Sequence, residues 1–171
     1  VSATGVDGYS YLADYISGLG VSGLMNRAFM VHGALFLVGA ILATRGVPAG
    51  WIGRAFVISA ALNALGNIGV GGFQSGATAH VVGAGLAIIG GNVAVVLGGL
   101  GSRSLGAPRM FRAVSVALGA FGLVCLAVLV VDGADGATLP VGLVERGAVY
   151  PIIAWEVMAG VALLWPRRSV A

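Results

Sequence analysis

Lysine is absent from this 171-residue chain, and charge of either sign is scarce: nine arginines and six acidic residues make up 9% of it. A soluble domain of this size carries about a quarter charged residues, so this chain cannot cover a water-facing surface. Without lysine there can be no retinal Schiff base. The single cysteine, Cys125, excludes an internal disulfide and a cysteine-based metal site. Two histidines, His32 and His80, are too few for a zinc hydrolase site, and their different depths do not suit paired axial ligands of a haem. Asp132 and Asp135 stand in a glycine-rich segment that lacks the ligand density of a calcium loop. No metal and no cofactor are expected.

What the chain has is apolar length. Residues counted as hydrophobic make up 58%, and 30 more are glycine. A membrane-spanning helix needs about 20 apolar residues, since the hydrocarbon core is ~30 Å thick and a helix rises ~1.5 Å per residue. Five stretches qualify, at about 23–44, 51–71, 78–99, 108–131 and 146–165, after an outer loop at 1–22. Strands are excluded by the length of the runs and by the absence of apolar–polar alternation. The prediction is an all-α transmembrane bundle forming one integral membrane domain over residues 1–171.

Arginine placement gives the orientation. Arg45, Arg54, Arg103, Arg109, Arg112, Arg167 and Arg168 fall on one side of such a bundle, and Arg27 and Arg146 on the other. By the positive-inside rule the N-terminus is outside and the C-terminus inside. The basic balance is thus a topology signal answered by membrane lipids, and no aromatic–basic patch supports nucleic-acid binding. Gly18-Leu19-Gly20-Val21-Ser22-Gly23 matches a dinucleotide-binding pattern by letter. No buried strand precedes it and no ribose-binding acid follows, so it reads as a turn.

Small residues form rows at helical spacing: Gly83, Ala87, Gly91 and Gly99 in the third span, and Ala55, Ser59, Asn63 and Asn67 in the second. In lipid such rows let backbones approach, which predicts tight packing inside one bundle, with a homo-oligomer or larger membrane complex as the alternative. Polar residues gather at two depths. Asp14, Asn26, Arg27, His80, Glu145, Arg146 and Tyr150 belong to the outer ends and are candidates for holding a headgroup, with His80 and Glu145 expected to approach each other. Deeper lie His32, Asn63, Asn92 and Glu156, from four helices, roughly 10 to 20 Å below the surface. A carboxylate at that depth is neutral, paired or facing a water cavity, so Glu156 is expected to point inward with Asn92 and His32 as partners.

Tyr15-Ile16-Ser17-x-Leu19-Gly20, then Asn26, Gly69-Val70-Gly71-x-Phe73 and His80, and finally Gly142-Leu143-Val144-Glu145-Arg146 with Tyr150-Pro151 and Trp155-Glu156, form a pattern that resembles domain-of-unknown-function family 998 of bacterial membrane proteins. The resemblance runs from about Tyr11 to Leu164, with Gln74 replacing the usual proline or acid after the Gly-Val-Gly-x-Phe run. It implies six spans in a full-length member, the first preceding the Ile-Ser-x-Leu-Gly loop, and no established activity. Three functions compete. The first is a non-enzymatic protein of the bacterial plasma membrane that binds a lipid or small amphiphile in an outer pocket. The second is a membrane enzyme on a lipid-linked substrate, with His80 and Glu145 as an acid/base pair. The third is a small proton-coupled transporter or accessory subunit using Glu156 and His32.

Overall fold

A computed structural model describes residues 3–45, 50–136 and 138–164. Five long helices account for most of them: α1 (Leu24–Thr44), α2 (Trp51–Gly72), α3 (Thr78–Gly101), α4 (Arg109–Ala134) and α5 (Val141–Leu164). Each is long and apolar enough to cross a membrane, so the chain is a multi-pass membrane protein. Gly23, with φ of 67° in the left-handed region, joins a 3₁₀ turn at Ile16–Ser22 to the start of α1. Pro108 and Pro140 stand just before α4 and α5, where a missing N–H costs nothing.

The bundle is small inside and large outside. Ala60, Ala64, Ala94 and Ala148 are buried, whereas Leu35, Leu65, Val82, Val124 and Leu163 are exposed. That inversion suits lipid, in which large aliphatic side chains need no cover and small ones let helices close. Neighbours in sequence are neighbours in space, and α3 is central, packing on α2, α4 and α5. The tightest seam joins α2 to α3. A Cβ on Gly66 would collide with the backbone of Ala87, and one on Gly90 would lie 2.6 Å from the Asn63 nitrogen. The small-residue rows therefore pack within one bundle, as expected. The α3 row is divided among partners, since Gly83 faces α2, Gly91 meets Ile152 of α5, and Gly99 meets Ser115 of α4.

Trp155 of α5 ties all five helices together. Its ring meets Phe36 of α1 and Phe56 of α2 edge-on, at centroid distances of 6.3 and 6.1 Å. It also lies against Gly98 of α3, and its Nε1 donates to Ser115 Oγ of α4 at 2.8 Å. By contrast α1 and α5 meet mainly through such side chains, with little close backbone approach.

Two expected boundaries move. The fifth helix begins at Val141, not at Arg146, because Pro140 sets its start and Glu145 and Arg146 are both held by hydrogen bonds inside its second turn. The segment expected as an outer loop at 1–22 carries 3₁₀ turns at Ala3–Gly5 and Ile16–Ser22, and Ile16 and Leu19 are buried. Trp165, Arg167 and Arg168 lie outside the described residues.

Candidate functional site

At the face where α1, α3 and α5 begin, the polar residues bind the N-terminal segment. Arg146 is buried on α5; its Nη1 donates to the carbonyl oxygens of Gly142, at 2.7 Å, and Asp14, at 3.1 Å. Its Nη2 donates to the Tyr9 hydroxyl, and its guanidinium carbon lies 5.1 Å from the Tyr11 ring centroid. A planar, delocalised cation suits such a mixture of stacking and directed hydrogen bonds. Glu145 accepts from the backbone N–H of Ile16, and the Leu143 N–H donates to the Leu12 carbonyl at 3.1 Å. Asp14 Oδ2 in turn accepts from the Ser10 N–H at 2.7 Å. Residues 9–16 are thus clamped across the start of α5.

The other candidates at this face have separate duties. His80 is buried and donates from Nδ1 to the Phe73 carbonyl at 3.0 Å, closing the turn between α2 and α3. Among the described residues no hydrogen bond or ion pair joins it to Glu145, so the expected approach of the two gains no support. The Asn26 side chain lies against Gly20, Arg27 is exposed, and Tyr150 is exposed on the side of α5. An open hollow of about 440 Å³ does lie at this face, lined by residues that include Asp7, Tyr9, Asp14, Tyr15 and Ser75. Of the predicted ligand residues only Asp14 borders it.

Deeper in the bundle the expected quartet divides into two kinds of interaction. Asn63 Nδ2 donates to the Ala87 carbonyl at 2.7 Å, and Asn67 Nδ2 donates to the Asn63 carbonyl at 2.9 Å. Asn92 Nδ2 donates to the carbonyls of Ile88, at 2.9 Å, and Ala148, at 2.8 Å, the latter three residues before the in-helix Pro151. Asn92 is therefore not the partner expected for Glu156. A buried amide next to a helix loosened by proline finds its acceptor on that backbone instead.

His32 and Glu156 form the other kind. His32 Nε2 lies 2.9 Å from Glu156 Oε1, joining α1 to α5. Counted along α1, His32 is about 12 Å from the helix start, well inside an apolar span. Both side chains remain about a quarter exposed, at 27% and 26%. Their flanks are apolar and outward: Val31, Leu35, Ile153 and Val157 are all exposed. A hydrogen-bonded acid and imidazole at this depth can exchange a proton or meet the polar group of a third molecule; their isolated charges would be costly.

Sequence reasoning missed the two aromatic clusters that position these sites. Tyr9 and Tyr11 around Arg146 could have been suspected from tyrosines placed on the same face as Arg146. The Trp155–Ser115 bond had no signal, because both residues look ordinary in apolar runs. No curated protein and no solved structure matches the chain. A family model does, over residues 1–162, and the chain belongs to that family, the proteins of unknown function DUF998.

Proposed function

We propose that this chain is a non-enzymatic protein of the bacterial plasma membrane, oriented N-out, which binds a lipid or small amphiphile at the seam between α1 and α5. The observation that carries this reading is the His32–Glu156 pair: 2.9 Å apart within the span, yet a quarter exposed. A ligand with an apolar body and one polar group fits such a seam, since its body replaces acyl chains against Leu35 and Val157 while its polar group answers the pair. The outer face supports the lipid reading less directly. Arg146, Glu145 and His80 are engaged in holding the chain itself, which also leaves the acid/base pair of an enzyme without supporting geometry.

Orientation is supported by the arginines among the described residues. Arg45, Arg54, Arg103, Arg109 and Arg112 belong to one face, and Arg27 and Arg146 to the other. A cysteine placed at Ser102, with Cys125 replaced by alanine, should resist membrane-impermeant thiol reagents in intact cells.

The binding test is native mass spectrometry of the chain purified gently from its membranes. Wild type and His80→Ala should carry a bound amphiphile, whereas His32→Leu and Glu156→Gln should lose it. Equal retention by all four, or none in wild type, would contradict the proposal. The direct imidazole–carboxylate bond also favours a second reading, proton-coupled transport. In that case Glu156→Gln would abolish pH-dependent flux in liposomes while ligand retention stayed unchanged.

A further inference from the structure

We infer a second lipid site, distinct from the α1–α5 seam: a groove on α4, at the arginine-bearing face, that holds an anionic phospholipid. The groove is open, encloses about 560 Å³, and is lined by Arg109, Arg112, Ala113, Val116, Ala117 and Ala120 of α4, with Leu100 of α3 as its far wall. These α4 residues recur at helical spacing and so form one continuous strip. From Arg109 to Ala120 the strip runs about 16 Å along the axis. That is close to half of a ~30 Å hydrocarbon core, the depth of one leaflet. Ala113, Ala117 and Ala120 leave a depression where larger residues would stand proud, and its length suits one acyl chain.

The head of the groove is cationic without compensation. Arg109 is exposed at the first turn of α4 and Arg112 lies one turn deeper. Among the described residues neither arginine pairs with a carboxylate, and the buried Nε of Arg112 has no hydrogen-bond partner. The N-terminus of α4 adds to this, since Pro108 offers no side-chain cap and leaves first-turn N–H groups for an anion. A phosphodiester at headgroup level would meet the Arg109 and Arg112 guanidiniums that line the groove and the first-turn N–H groups, while its chain follows Ala113 to Ala120. Charge complementarity selects an anionic lipid over a zwitterionic one, whose ammonium would meet the same arginines.

The test uses the full chain reconstituted in phosphatidylcholine bilayers with spin-labelled phosphatidylglycerol or phosphatidylcholine of identical chains, reading the motionally restricted fraction. Phosphatidylglycerol should associate more strongly, and each arginine removed should weaken its preference by about fivefold. Arg109→Gln, at an exposed position that folding tolerates, should show the first loss, and Arg109→Gln with Arg112→Gln should bring the two lipids level. Ala117→Leu, which fills the groove and keeps both arginines, should also lower the phosphatidylglycerol signal. Arg103→Gln, on the same face but off the groove, should leave the preference intact. Equal association of both lipids with wild type, or a preference that survives Arg109→Gln, would overturn the site. An equal loss in Arg103→Gln, or no loss in Ala117→Leu, would reduce it to diffuse surface charge and overturn it as well.

Discussion

The seam between α2 and α3 and the seam between α1 and α5 are built on opposite plans. In the first, Gly66, Gly83 and Gly90 bring backbones into contact, and Asn63 is 1% exposed with its amide on a neighbouring carbonyl. In the second, side chains span a wider gap, and an acid and an imidazole bond to each other while a quarter of each stays open. Polar groups inside a membrane thus serve two ends here. An amide bonded to backbone closes a seam. An ionisable pair that bridges a loose seam, with Asn67 of α2 beside His32, stays partly uncovered.

If that contrast is sound, substitutions should act differently at the two seams. Gly66→Leu should have the largest effect on stability, because its side chain has backbone and no flexible neighbour to push aside. A loss of about 1–3 kcal/mol or more is expected, seen as a lowered Tm in detergent. Asn63→Ala should cost less, up to about 1.7 kcal/mol, the upper range for a hydrogen bond between membrane helices. Glu156→Gln should cost least, under about 1 kcal/mol, since the amide retains the shape and can still hydrogen-bond to His32. Should Glu156→Gln unfold the protein while Gly66→Leu does not, the roles of the two seams would be reversed.

The closed seam was partly legible in the sequence: Gly83, Ala87, Ser59 and Asn63 stand in the two small-residue rows, whereas Gly66 and Gly90, which pack against them most tightly, do not. Glycine and alanine at i, i+4 spacing have few purposes in an apolar helix beyond close packing, and the five spans followed from length alone. The pairing of His32 with Glu156 was half legible. Depth matched them, but depth also matched Asn92, whose amide goes to the Ala148 carbonyl near Pro151. Depth is one coordinate; rotation about each helix axis, set by packing, is the other, and a nearly uniform apolar sequence encodes it weakly. The same reason explains the face where α1, α3 and α5 begin. Glu145, Arg146 and His80 share a level, yet Arg146 turns toward Tyr9 and Tyr11 and His80 toward Phe73.

The central claim is that the α1–α5 pair receives a ligand and is not merely a tie between helices. Ligand-dependent thermal stabilisation tests it most directly, because anything that binds the folded state alone raises its Tm. Delipidated chain would be remixed with the amphiphile fraction extracted from its own membranes, with wild type, Asn63→Ala and Glu156→Gln side by side. The predicted result is a clear rise for wild type and an equal rise for Asn63→Ala from its lower baseline, with none for Glu156→Gln. A rise in Glu156→Gln as large as that in wild type would contradict the claim.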